Sequence, residues 1–207
     1  DGRFVAFWSY ASNLVTGDGN QSADTFVHDC QSGATERVSV SSAGVGGNLY
    51  SGDSTISADG RYVAFESEAT NLVTGDTNGS KDIFVAPTLG GPTVRASVKT
   101  DLTQGNNSSS GGHLNEDGRF VVFSSMASTL DDNDANGTVD LFLRDLQNGT
   151  TKLLTRDAAG VFAANNDKSL APFHAISDDG RFVAFGSNSS NLVTQSTGFQ
   201  TNAYVRD

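Results

Sequence analysis

"DGRFVAF" at residues 1–7 returns as "DGRYVAF" at 59–65, "DGRFVVF" at 117–123 and "DGRFVAF" at 179–185. The copies stand 58, 58 and 62 residues apart, so the chain is a set of repeats of one unit. Three further blocks keep the same register outward from this stretch. They are "SNLVTGD" (12–18), "TNLVTGD" (70–76) and "SNLVTQS" (190–196); then "DTFVHD" (24–29), "DIFVAP" (82–87), "DLFLRD" (140–145) and "NAYVRD" (202–207); then "ATERVSV" (34–40), "PTVRASV" (92–98) and "TTKLLT" (150–155). The longer last step falls in 156–171, because the flanking blocks align without gaps.

Each unit reads as short strands and no helix. In the second unit a strand ends at "TIS" (55–57), and Asp59-Gly60 marks a tight turn because glycine accepts positive φ. Strands over 61–67, 82–86 and 93–98 follow. Tyr62-Val63-Ala64-Phe65 is apolar on both faces of its strand, whereas a sheet with one wet face would alternate. Small sheets covered on both faces and repeated around an axis describe a β-propeller. The fold class expected is therefore all-β, a propeller of four-stranded antiparallel blades with about four repeats of roughly 58 residues. One segment spans 1–207, with units of approximately 1–51, 52–109, 110–169 and 170–207. The strand signals number three, four, four and three. A piece of a longer six- to eight-bladed ring is expected, with a four-bladed ring or two chains closing one ring as alternatives. Open ends would favour self-association.

Composition excludes several classes. The net charge of −11 over 207 residues is unsuited to nucleic acid, which needs clustered Lys and Arg. No stretch approaches the ~20 apolar residues of a membrane-spanning helix. The single cysteine, Cys30, rules out an internal disulfide framework.

The pattern S-x-D-G-R-[FY]-V-A-F, with G-D-T-N-G-x-x-D-[IV]-F-V and T-x-R-V-S further along, resembles the WD-like propeller repeats of the TolB type in bacterial secreted and periplasmic proteins. The resemblance covers the whole chain. It implies an extracytoplasmic location (secreted, cell-surface or periplasmic) and the propeller fold, but no single activity.

Acidic residues concentrate in three equivalent loops. Asp18, Asn20, Ser22 and Asp24 match Asp76, Asn78, Ser80 and Asp82, and again Asp134, Asn136, Thr138 and Asp140. Oxygen-bearing side chains at alternate positions suit Ca²⁺, which takes six to eight oxygens, and all twelve residues are candidate metal ligands. The competing reading is a set of Asx turns. The fourth unit keeps the loop length with Ser196, Gly198, Gln200 and Asn202, and is expected to bind nothing. With Lys81 the only basic residue in or beside these loops, their carboxylates would repel without a cation. Arg3, Arg61, Arg119 and Arg181 recur after each turn, and a feature copied into every unit reads as architectural. Trp8 replaces Glu66, Ser124 and Gly186 of the other units and is open to two readings, ligand surface or edge packing.

No G-x-S-x-G elbow is present, and no Glu pair stands out as acid and base, although Glu66 and Glu68 share one face of a strand end. The chain is expected to be a non-catalytic extracytoplasmic binding or scaffold module, calcium-stabilised, with a protein or carbohydrate ligand. The alternative is the propeller domain of a larger secreted hydrolase, peptidase- or glycosidase-like.

Overall fold

The computed structural model describes residues 2–164, 174–195 and 200–207. Its strands form four sheets, and no helix occurs among the described residues. The first sheet holds β1 (Phe4–Ser9), β2 (Asp24–Asp29) and β3 (Thr35–Arg37). The second holds β4 (Ser51–Ile56), β5 (Tyr62–Ser67), β6 (Asp82–Pro87) and β7 (Val94–Arg95). The third holds β8 (Ser109–Leu114), β9 (Phe120–Ser125), β10 (Asp140–Asp145) and β11 (Thr150–Leu153). The fourth holds β12 (His174–Ile176), β13 (Val183–Ser187) and β14 (Asn202–Arg206). Each sheet is an antiparallel meander in chain order, and the counts of three, four, four and three match the strand signals in the sequence.

The core lies between the sheets. Val63, Phe65 and Phe84 pack with Val27 and Val38 between the first and second sheets, and all five are buried. Ala64, Ile83 and Val85 meet Val121, Phe123 and Phe142 between the second and third. Val122 and Leu141 meet Val183 and Phe185 between the third and fourth. This double-sided burial is why the second strand of each unit is apolar at consecutive positions. Cross-strand register places Phe7 opposite Phe26, Phe65 opposite Phe84, Phe123 opposite Phe142 and Phe185 opposite Tyr204. The four pairs stack with centroids 5.6–5.9 Å apart. Such a pair contributes about 0.5–1.5 kcal/mol beyond its buried area.

The strand that ends at "TIS" runs from Ser51 to Ile56, with a bulge between Gly52 and Thr55, and the last strand is shorter than the sequence reading. The last strand is only Val94–Arg95, because the Ser97 hydroxyl turns inward. It accepts the Ile83 amide at 3.1 Å and donates to Asp82 at 2.5 Å, taking over the next rung of the ladder.

Turn glycines lock neighbouring sheets. Gly60, Gly118 and Gly180 have φ of 74°, 72° and 73°. The ring that follows the same turn in the preceding unit lies against each of them: Phe4 on Gly60, Tyr62 on Gly118 and Phe120 on Gly180. The arginine before each ring covers its other face, with Arg3 4.6 Å from the Phe4 centroid and Arg119 4.6 Å from that of Phe120.

Candidate functional site

The three acidic loops fold alike. In the first, Asn20 Oδ1 accepts the Ser22 amide at 2.9 Å, and Asn20 Nδ2 donates to Asp24 at 2.9 Å and to the Gly47 carbonyl at 2.8 Å. Asn78 does the same with Ser80, Asp82 and the Gly105 carbonyl. Asn136 repeats it with Thr138, Asp140 and the Ala164 carbonyl. Each loop is thus an Asx turn that also ties its sheet to the segment leading toward the next one. The structure brings the twelve candidate residues together as three clusters, but the asparagines present amide N–H groups to the carboxylates.

The charge at the centre of the first two clusters is balanced from within the chain. Arg37 Nη1 lies 3.4 Å from Asp18 and 3.2 Å from Asp24. Arg95 Nη1 lies 3.1 Å from Asp76 and 3.3 Å from Asp82. Both guanidinium groups come from the outermost strand of the same sheet and are almost fully buried. The expectation that Lys81 is the only nearby base is therefore corrected: the cage has a resident cation, an arginine supplied 13 residues further along. Lys81 itself turns away to pair with Glu66.

The third cluster departs from this plan. Leu153 stands where the others have arginine, and its side chain joins the apolar core. Arg156 reaches Asp131 at 2.7 Å instead. Asp134 and Asp140 are buried neighbours, and burial pushes Asp134 up to about 6. Among the described residues no three His, Cys, Asp or Glu side chains converge as a metal group. The expectation for the fourth loop falls mainly on 196–199, outside the described residues.

The recurring arginines are structural. Arg3 makes a bidentate pair with Asp29, Arg119 with Asp145 and Arg181 with Asp207. Arg61 turns to Asp59 because Pro87 replaces that partner in its unit. Arg119 holds the Asp145 carboxyl down at about 2.

Residues that break the repeat gather elsewhere. The first strands of successive sheets, β4, β8 and β12, contact one another and form the inner rim. There a cavity of about 530 Å³ is lined by Trp8, Asp53, Thr55, Gly111 and His113, among others. Trp8 lies edge-on to Tyr10 (6.0 Å, 83°) and to Tyr50 (6.4 Å, 62°). Glu66 is buried behind Asp53, which hydrogen-bonds it, and burial raises its carboxyl to about 7. Tyr50, Asp53, Glu66 and Lys81 correspond to Ser108, Gly111, Ser124 and Val139 of the next unit, so none of the four is copied. Of these, sequence reasoning singled out Glu66, but not Tyr50 or Asp53. Aligning the units and asking which polar residues fail to recur would have found them. A second cavity of about 670 Å³ lies beside His113, His174, Phe185 and Tyr204. The two imidazoles meet edge-to-face at 5.0 Å, and His174 Nε2 lies 2.6 Å from the Gly111 carbonyl.

Sheets of this form, meandering outward from an inner strand and packed face to face, define a β-propeller, and its particular form is TolB-like. TolB from Acinetobacter baumannii superposes with a TM-score of 0.52 at 18% identity, over 99% of this chain and 38% of that one. The tricorn protease gives 0.55 at 12% identity, over 99% and 17%. The β-propeller domain of the Trilobed protease from Pyrococcus furiosus gives 0.52 at 9%, over 100% and 52%. The chain thus spans between about a sixth and a half of the length of these proteins. No protein-family model and no curated protein matches the chain.

Proposed function

We propose that the chain is a non-catalytic extracytoplasmic propeller module whose inner rim binds a partner. One observation carries this reading: the polar residues copied from unit to unit are used in holding sheets together, while the uncopied Trp8, Asp53 and His113 line one cavity at the rim. No helix among the described residues is long and apolar enough to cross a membrane. Placement outside the cytoplasm rests on the likeness to TolB. The test is a photo-crosslinker placed at His113 on the rim or at Val94 on the outer edge, in envelope and secreted fractions of the producing cell. Specific adducts are expected from His113 alone; adducts from Val94 alone overturn the rim assignment. Steady turnover of peptidase or glycosidase substrates, abolished by Glu66→Gln, overturns the non-catalytic assignment. That second outcome would favour a hydrolase, the class to which the tricorn and Trilobed proteases belong.

Calcium narrows to one loop. Arg37 and Arg95 fill the first two cages, so the residues there do not fit a metal ion. The third lacks that arginine, and Asp134 and Asp140 with backbone carbonyls are the donors that would hold Ca²⁺.

A further inference from the structure

Trp8 lines the 530 Å³ cavity, and Tyr10 and Tyr50 pack against it in a group that does not form a shelf. Tyr10 and Tyr50 both stand steeply against Trp8, at 83° and 62°, so the three rings form a corner and not a stack. Trp8 and Tyr10 are 44% and 67% exposed, so the corner is open to solvent. Aromatic faces carry negative electrostatic potential, and a corner of them attracts a cation from several sides at once. A flat sugar ring would instead be served by one open face.

The wall of the corner is acidic. Asp53 is exposed, lines the same cavity and faces Tyr50, as does Glu66 behind it. Asp53 lines the opening, hydrogen-bonded to Glu66, which also pairs with Lys81. Asp53 holds φ of +41°, in the left-handed region where its counterpart is Gly111 at +67°. A side chain kept where glycine would be relaxed costs stability, and such strain collects at functional positions. Gly52 makes the room: a Cβ there would strike the Tyr50 phenol.

We propose that Trp8, Tyr10, Tyr50 and Asp53 form a cage for an organic ammonium group, either a quaternary ammonium or the primary amine of a lysine-like side chain. This deepens the binding-module reading by naming the chemistry of the ligand, and its test uses a readout separate from partner crosslinking.

Trp8 is the chain's only tryptophan and so reports on the cage directly. Its fluorescence is followed while choline chloride, n-butylammonium chloride or uncharged 3,3-dimethylbutan-1-ol is added, against sodium chloride at equal ionic strength. A saturable change is expected with a cation and not with the neutral isostere. Tighter choline binding identifies a quaternary headgroup, and tighter butylammonium binding a lysine-type side chain. Asp53→Asn is expected to weaken the response about tenfold, the scale of one desolvated cation contact. Asp53→Gly removes the carboxylate and relieves the backbone, so it should lose binding while melting no lower than the parent. The proposal is overturned if neither cation saturates beyond the salt control, if the neutral isostere binds equally well, or if Asp53→Gly binds as the parent does.

Discussion

At the scale of single residues, the cages show how far side-chain chemistry can be read. The loops were legible, since Asp, Asn and a small residue at alternate positions announce a compact oxygen cluster. Its cation was not, because carboxylates suit a guanidinium as well as a metal, and Arg37 and Arg95 lie on another strand. The third loop makes the point testable. Leu153→Arg should restore the internal cation beside the two buried carboxylates, while giving up the place of Leu153 in the apolar core. A carboxyl pushed up to about 6 stays neutral in the fold after its unfolded counterpart has ionised. Asp134 therefore costs stability as pH rises from about 4 to 6. Leu153→Arg should flatten that slope in chemical denaturation. In calcium at tenfold excess over a Kd of ~10⁻³ M, the parent should gain about 1.4 kcal/mol, and Leu153→Arg should gain nothing. If the parent melts identically in chelator and in calcium, the third loop is a polar turn like the others. Glu66 follows the same sign with a wider window. Glu66→Gln should match the parent below pH 4 and exceed it by about 1–3 kcal/mol above pH 7, as read by urea midpoints.

At the scale of elements, His174 and the turn glycines give opposite lessons. The "D-G" turns were plain in sequence because positive φ restricts the residue type. The ring that each glycine receives from the preceding sheet was invisible, since that contact joins residues 56–60 positions apart. Gly118→Ala should destabilise by more than about 2 kcal/mol, combining left-handed backbone strain with displacement of Tyr62. Gly75→Ala, at φ of 78° with open space around it, should lose only the backbone part, about 1–2 kcal/mol. Equal losses in guanidinium denaturation would mean the ring contact contributes nothing. His174 joins β12 to the third sheet, and burial lowers its imidazole to about 4. A base held neutral in the fold contributes stability that is complete above pH 6.5 and is lost as pH falls toward 4. His174→Gln should reduce that acid sensitivity.

At the scale of the whole molecule, the repeat fixed the architecture because double-sided burial and regular turns leave few alternatives for a chain with no helix among its described residues. It could not fix the rim, where the copies stop being alike. The outer faces also matter. Val5 on β1 and Val205 on β14 are 48% and 69% exposed, so the 207-residue polypeptide in isolation should associate with increasing concentration in sedimentation, while a constant compact monomer would contradict this.

The form of that association is set by the ring-on-glycine contact, which has a direction. At each of the three junctions a sheet offers an aromatic ring forward and the next receives it on a glycine. In the 207-residue polypeptide taken in isolation, Phe182 is 39% exposed under Arg181, and Gly2, at φ of 76°, has open space where a ring would sit. A plug at one end and a socket at the other cannot be self-complementary, so each junction between copies would be heterologous, and a pair would be two-fold symmetric only if both junctions closed at once. Joined copies would repeat one rotation, closing into a cyclic ring if the angle divides a full circle and winding into an open helix if it does not.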